Sequence, residues 1–198
     1  MKRISTRDIM TVAAMMVLCF GISLIVGSIA LAVPFVYLYM SAGIDGFFGA
    51  TFFLVAANRL NKHGLLFIWA AIYGVIQGAL GYSFLFPYFI GVGLIAELSM
   101  IGGNSYRSSW RNKIGWSVNC AGNFVGNAVP LWWSWETFRT MAKQSGFSDT
   151  TLNMEYNMVM TPHLMIMGIL ITVALALLGT MFGQRLLRKH FEKAGIIK

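Results

Sequence analysis

Charged residues are scarce in this sequence: Asp, Glu, Lys and Arg make up 11% of its 198 residues, whereas 57% are hydrophobic. Soluble domains carry roughly a quarter charged residues, so this composition excludes a water-soluble globule and predicts an integral membrane protein. A spanning helix takes about 20 apolar residues. The length therefore allows six spans with short loops and leaves no room for a soluble catalytic or nucleotide-binding domain.

Cysteines and catalytic motifs are also few. Cys19 and Cys120 both lie in apolar stretches, which favours small buried thiols over a disulfide framework or a CxxC metal site. The sequence has no P-loop and no HExxH, GxSxG or DxxD motif. We therefore expect a protein that is not an enzyme and holds no resident metal or covalently bound cofactor.

Apolar runs divide the chain into six predicted spans. They cover residues 9–33, 35–57, two helices within 64–96 that separate near 82–87, then 114–135 and 161–184. Continuous runs of this length predict helices rather than barrel strands, which alternate with a period of two. The first run is too long for a signal peptide and lacks a convincing cleavage site. The expected fold is an all-α, six-helix transmembrane domain over residues 1–198.

Basic residues indicate the orientation of these spans. With the N-terminus inside, Arg139 and Lys143 are the two of the 15 Lys and Arg residues that fall outside. This asymmetry follows the positive-inside rule and predicts that both termini are cytoplasmic. The inner basic residues are Lys2, Arg3, Arg7, Arg59, Lys62, Arg107, Arg111, Lys113, Arg185, Arg188, Lys189, Lys193 and Lys198.

A stripe of asparagines gives the strongest local signal. Asn119, Asn123 and Asn127 recur every four residues, so they share one face of the fifth predicted span. Amides are costly in hydrocarbon and need partners. One interpretation is that these amides form hydrogen bonds between helices. The other is that they form the polar wall of a ligand cavity. The position of the stripe near an outer tryptophan cluster favours the cavity.

Other side chains near the outer ends of the spans have two interpretations each. Trp132 and Trp133 would form an interfacial aromatic belt or a stacking surface for a planar ligand. Asp45 would cap the start of the second span or contact the ligand. The polar loop 136–157 would be a lid over the ligand or a solvated connector.

Histidine and methionine at the outer start of the last span suggest a metal-containing ligand. His163 is either hydrogen-bonded structure or a ligand to a metal or haem iron, and Met160 is the alternative axial ligand. Glu97, near an inner span end, is expected to pair with Arg107 or Arg111. Two ladders of small residues are expected to pack inside the bundle or against a partner: Ala70, Gly74 and Gly78, and Gly168, Thr172, Ala176 and Thr180.

The C-terminal region carries a resemblance to a known family. It contains Leu178-Gly179, then Gly183-Gln184-Arg185, and then the basic segment 187–196 (LRKHFEKAGI). With the N-in, C-in six-helix pattern, this resembles the substrate-binding S component of energy-coupling-factor (ECF) transporters, in the Trep_Strep subfamily. The resemblance implies a bacterial cell membrane and assembly with a T component and two ATPase subunits, without nucleic acid.

The resemblance also implies how the protein would work. Such S components are thought to topple in the bilayer and to dock through an Ala-xxx-Ala surface on the first helix. Here Ala13 and Ala14 are the candidate docking residues, although Val17 and Leu18 stand four residues further on. Family ligands are vitamins, cofactors and metal-related compounds, so we expect haem or another tetrapyrrole first and a vitamin-like heterocycle second.

The function expected is therefore substrate capture for an ATP-driven importer. A stand-alone secondary transporter or channel is the alternative, and a membrane scaffold is a third class. Coupled carriers usually place ionisable residues near mid-membrane, whereas Asp45, Glu97 and His163 fall near span ends. The expected ligand-binding residues are Asp45, Asn119, Asn123, Asn127, Trp132, Trp133, Met160 and His163.

Overall fold

The computed structural model describes residues 4–30, 32–102 and 105–191, and within them the chain is all-helical, without a β-strand. This confirms the all-α fold class. The described α-helices are α1 Thr6–Ala30, α2 Pro34–Tyr39, α3 Ser41–Leu60, α4 Leu65–Ala79, α5 Leu85–Leu98, α6 Ser109–Gly126, α7 Val129–Trp133, α8 Trp135–Gln144, α9 Asp149–Met160 and α10 Pro162–Leu186. A 3₁₀ turn, Ser105–Arg107, precedes α6, and a π-helical turn, Leu187–Phe191, follows α10.

Two of the described helices are long and apolar enough to cross a membrane: Thr6–Ala30 and Pro162–Lys189. Helices α4 and α5 are apolar but shorter, with 15 and 14 residues. The six-span count and the orientation therefore stay predictions. The predicted orientation and the family resemblance depend in part on Lys2, Arg3 and residues 192–198. These residues lie outside the described part of the chain.

Several of the predicted apolar runs form two helices instead of one. The second run forms α2 and α3, which meet at Met40, and the fifth forms α6 and α7, whose first turn contains Pro130. The break between the third and fourth runs lies near Gly81, at φ +101°. Met40 is the N-cap of α3 and Asp45 is its fifth residue, so the capping interpretation of Asp45 is wrong.

Small residues let the helices of the bundle pack closely. On α10, a Cβ atom at Gly179 would lie 2.4 Å from the Cα of Phe47 on α3, and one at Gly168 would lie 2.1 Å from the ring of Phe124 on α6. On α4, Ala70 lies against Gly93 of α5, where a Cβ would come within 2.9 Å of the Ala70 Cβ. Both small-residue ladders therefore pack inside the bundle, which was the first of their two interpretations.

Glu97 is held by a different set of groups from the one expected. Its carboxylate accepts the backbone N–H groups of Gly64 and Leu66, at 2.7 and 3.1 Å, and the Tyr106 hydroxyl donates to it. The expected ion pair with Arg107 or Arg111 is not found among the described residues. A carboxylate at the start of α4 satisfies N–H groups that no helical turn can reach, so Glu97 ties α5 to α4.

The polar segment after α7 forms two helices rather than a loop. Ser134 and Ser148 cap α8 and α9 by accepting the backbone N–H of Thr137 and Thr151. Asp149 at the start of α9 pairs with Arg139 and Lys143 of α8, at 3.0 and 2.7 Å. These two helices are called the α8–α9 hairpin below.

Candidate ligand-binding cavity

A cavity of about 330 Å³ lies between the helix bundle and the α8–α9 hairpin. Its wall combines residues of α1, α3, α4 and α6 with residues of both hairpin helices, such as Phe138, Ala142 and Met158. The hairpin therefore covers part of the cavity, which favours the lid interpretation of 136–157 over a solvated connector. Binding sites for small molecules occupy roughly 300–1,000 Å³, so this volume suits a compact ligand.

Asp45 marks the part of the cavity inside the bundle, called the bundle end. Its Oδ1 atom is buried without a hydrogen-bond partner, and Ser23 of α1 lies within reach of the carboxylate. Cys19 and Tyr73 are close enough to Asp45 to interact with it electrostatically. Both cysteines of the chain, Cys19 and Cys120, are free thiols in the wall of the cavity.

Trp116 forms a fixed part of this wall. Its indole N–H donates to the Gly46 carbonyl oxygen at 2.8 Å, and its ring stacks on Phe53 with 4.8 Å between centroids. A Cβ at Gly46 would approach the Cys120 sulfur to 2.8 Å, so α3 and α6 are in close contact here. The bundle end is therefore bounded by packed, buried side chains.

Glu155 marks the part of the cavity beneath the hairpin, called the hairpin end. The residue is 6% exposed, and its Oε2 atom is buried without a hydrogen-bond partner. Burial raises the pKa of the Glu155 carboxyl to about 7. Tyr37 and Tyr82 are close enough to interact with it electrostatically, and the ring of Phe147 meets that of Tyr37 edge-on at 5.6 Å.

The charges that face the cavity have one sign. Asp45 and Glu155 are the two acidic residues in its wall, and none of the lining residues within the described ranges is Lys, Arg or His. Neutral polar groups come from Gln77, Asn123 and Asn127, among others. The arrangement offers hydrogen-bond acceptors, aromatic faces and negative charge to a ligand.

The structure brings three of the eight predicted ligand-binding residues to this cavity: Asp45, Asn123 and Asn127. Asn119 is buried at 1% exposure, but its side chain is not part of the cavity wall. The other four are exposed and lie outside the wall: Trp132, Trp133, Met160 and His163. Trp133 stacks on Phe84 at 5.8 Å between centroids.

Sequence reasoning missed Glu155, Tyr37, Tyr73 and Tyr82. A signal for Glu155 was present, because Leu152, Glu155 and Val159 recur at spacings of three and four residues and share a face of α9. Burying a carboxylate on the apolar face of a short amphipathic helix costs free energy unless the carboxylate is paired or hydrogen-bonded. Such a position therefore indicates a functional role. Tyr37 lies on α2, Tyr73 on α4 and Tyr82 between α4 and α5, so no single helical spacing joins them.

The described residues are all-helical, and two of their helices are long and apolar enough to cross a bilayer, which agrees with an integral membrane protein. Residues 6–193 match the model of the family described as hypothetical bacterial integral membrane protein (Trep_Strep), and the chain belongs to this family. Membership confirms the predicted membrane protein. No match to the chain was found among curated proteins or among solved structures.

Proposed function

We propose that this protein is the substrate-capture (S) subunit of an ATP-driven ECF-type importer in the bacterial cell membrane. It binds a small cofactor-like ligand from outside and delivers it with a T component and two ATPase subunits. The observation that carries the proposal is the cavity of about 330 Å³, which has polar and aromatic walls and is partly covered by the α8–α9 hairpin. A capture subunit needs such a site and no catalytic group of its own.

The walls of the cavity favour a vitamin-like heterocycle over haem as the ligand. The amides of Asn123 and Asn127 can orient polar substituents of a ring, and the face of an aromatic side chain can stack on it. His163 and Met160, the candidate axial ligands of haem, are exposed and lie outside the cavity wall. Haem binding would therefore require a second site on the surface.

The surface of α1 supports a docking role for Ala14. Ala14 is exposed and Ala13 is half-buried, and Met10 and Val17 are 67% and 68% exposed on the same side as Ala14. A Cβ built at Gly21, seven residues after Ala14, meets nothing within 4 Å. Small residues on an exposed apolar face allow a partner helix to approach closely.

Transport assays test the proposal. The purified protein, reconstituted alone in liposomes, should bind one member of a labelled panel (thiamine, riboflavin, biotin and haemin) without accumulating it. Accumulation should appear when a T component and the two ATPases are reconstituted with it, and should require ATP. Robust uptake by the protein alone under a proton or sodium gradient would overturn the proposal in favour of a secondary carrier.

A docking assay tests the role of α1 separately. Ala14→Trp should prevent co-purification with the T component and leave ligand binding unchanged, because the bulky ring holds the partner helix away. Leu170→Trp is the matched control, since Leu170 is 62% exposed on α10. Normal co-purification of the Ala14→Trp variant would show that the interface lies elsewhere.

A further inference from the structure

Two acidic residues line the cavity without a counter-charge from the protein. Glu155 is 6% exposed with an unpartnered Oε2, and Asp45 has a buried, unpartnered Oδ1. The wall contributes no Lys, Arg or His within the described ranges. Two other carboxylates of the chain are paired with cations: Asp8 with Lys62, and Asp149 with Arg139 and Lys143.

Unpaired carboxylates of this kind select the charge of a ligand. A buried anionic group is strongly unfavourable unless it is paired or hydrogen-bonded. A cationic ligand supplies the missing partner, whereas an anionic ligand adds repulsion in a medium where charges are poorly screened. A neutral ligand gains neither the attraction nor the penalty.

Aromatic residues line the same end of the cavity as Glu155. Tyr37, Tyr82 and Phe147 are part of its wall, Tyr37 and Tyr82 are close enough to Glu155 to interact with it electrostatically, and Phe147 packs edge-on against Tyr37. The face of an aromatic ring attracts a cation, and rings combined with a carboxylate are a recurring way to bind an ammonium group. Glu155 and these rings therefore point to the same ligand chemistry independently of each other.

We propose that the cavity binds an organic cation, a protonated amine on an aromatic heterocycle, with its ammonium group beside Glu155 and its ring toward Asp45. This inference rests on the proposed substrate-capture function and narrows its ligand to one charge class. The ring then lies between the aromatic side chains of the bundle end, where Asn123 and Asn127 can hydrogen-bond to its edge.

Three indole derivatives that share one ring test the charge preference: tryptamine (cation), tryptophol (neutral) and indole-3-propionate (anion). Calorimetric titration of the full-length protein in nanodiscs at pH 8 should give at least tenfold tighter binding for tryptamine than for tryptophol, and no saturable binding for indole-3-propionate. Equal affinity for tryptophol, tighter binding of indole-3-propionate, or no saturable binding of tryptamine would each overturn the inference.

Neutral variants identify the groups responsible. Glu155→Gln should weaken tryptamine binding at least tenfold and leave tryptophol binding unchanged, and Asp45→Asn should act in the same direction. Glu136→Gln is the matched control, because Glu136 is exposed on α8 and outside the cavity wall. Size-exclusion profiles check that each variant is folded. Equal loss of tryptamine and tryptophol binding in both cavity variants would contradict a charge-specific role.

The two proposals fail in different ways. ATP-dependent import of a neutral or anionic compound would retain the substrate-capture function and overturn the preference for a cation. Tight, Glu155-dependent tryptamine binding by a protein that never assembles with a T component and ATPases would support the cation site and overturn the proposed transport role.

Discussion

Asn119 and Asn123 lie one helical turn apart on α6 but have different surroundings. Asn123 lines the cavity, whereas Asn119 is 1% exposed away from it. Neither amide atom of the Asn119 side chain has a hydrogen-bond partner in the described part of the chain. An unpaired buried amide costs stability without contributing to a ligand site.

Valine substitutions at these two positions should separate their roles. Asn119→Val should raise stability by about 1–3 kcal/mol, the usual cost of an unsatisfied buried polar group, and leave ligand affinity unchanged. Asn123→Val should weaken ligand binding with little effect on stability. Thermal unfolding in detergent and tryptamine titration measure the two quantities. Lost binding in Asn119→Val would place that amide in the site after all.

Glu155 should make stability depend on pH. Its pKa is raised from 4.5 to about 7 in the folded protein, so the folded state holds a proton that the unfolded state releases between these values. Stability attributable to Glu155 is therefore present at low pH and falls as pH rises toward 7. The loss reaches about 3 kcal/mol, at 1.36 kcal/mol for each pKa unit.

Glu155→Gln removes this titration and should therefore unfold at a higher temperature than the wild type at pH 8, with little difference at pH 4.5. Glu155 faces Tyr37 and Tyr82, which stay neutral over this range, and Asp45 is the other acidic residue in the cavity wall. Unfolding of the Glu136→Gln control should follow the wild type. Identical unfolding of Glu155→Gln and wild type at both pH values would contradict a buried, unpaired carboxylate.

At the scale of the helices, α10 depends on glycine where it contacts α3. Gly179→Ala should lower the unfolding temperature, because the added Cβ would lie 2.4 Å from the Cα of Phe47 and backbone must move. Gly91→Ala on α5 is the control: its Cβ meets nothing within 4 Å, so helix propensity should make it neutral or stabilising by up to about 1 kcal/mol. Equal stability of both variants would refute close packing of α10.

The sequence predicts elements better where local chemistry decides them. The break predicted near 82–87 lies close to the observed one, which falls between Ala79 and Leu85. Helical spacing points to Asn123 and Asn127, and charge at membrane depth points to Asp45. The division of the fifth run at Pro130 follows from proline chemistry that apolarity alone does not reveal. The sequence predicts a loop at the hairpin because its helices are short and polar, although Ser134 and Ser148 are typical residues for capping a helix start.

Exposure of His163 and Trp133 could not be predicted in the same way. The spacing of Leu152, Glu155 and Val159 places Glu155 on the apolar face of α9, but the cover over that face comes from a contact between the hairpin and the bundle, which are distant in sequence. His163 lies in the first turn of α10, whose buried side begins with Met165. Small shifts in helix rotation decide such exposures, and the residue types alone do not fix them.

For the molecule as a whole, helix length bears on how many helices cross the bilayer. Helices α4 and α5 have 15 and 14 residues. At 1.5 Å per residue they extend over about 21–23 Å, less than the ~30 Å hydrocarbon core. Flanking residues or local thinning of the bilayer would therefore be needed for both helices to span it.

Cysteine labelling distinguishes six spans from two. In a Cys19→Ala/Cys120→Ala background, an impermeant maleimide should label Gln144→Cys in intact cells. Arg59→Cys and Lys189→Cys should react only after permeabilisation, because six spans with the N-terminus inside place both in the cytoplasm. If α1 and α10 alone crossed the membrane, Arg59→Cys would be labelled from outside.

The two faces of α1 link the proposed partner to the ligand. Ala14 is exposed on one side of this helix, while Ser23, nine residues on and half a turn round, lines the cavity near Asp45. A partner that shifts α1 therefore changes the cavity wall directly. By thermodynamic linkage, any change that the partner makes in ligand affinity is matched by an equal change that the ligand makes in partner affinity. Helix α1 would thus couple assembly with the partner to release of the ligand. The ligand-free and ligand-bound forms of the protein would then differ in their affinity for the partner.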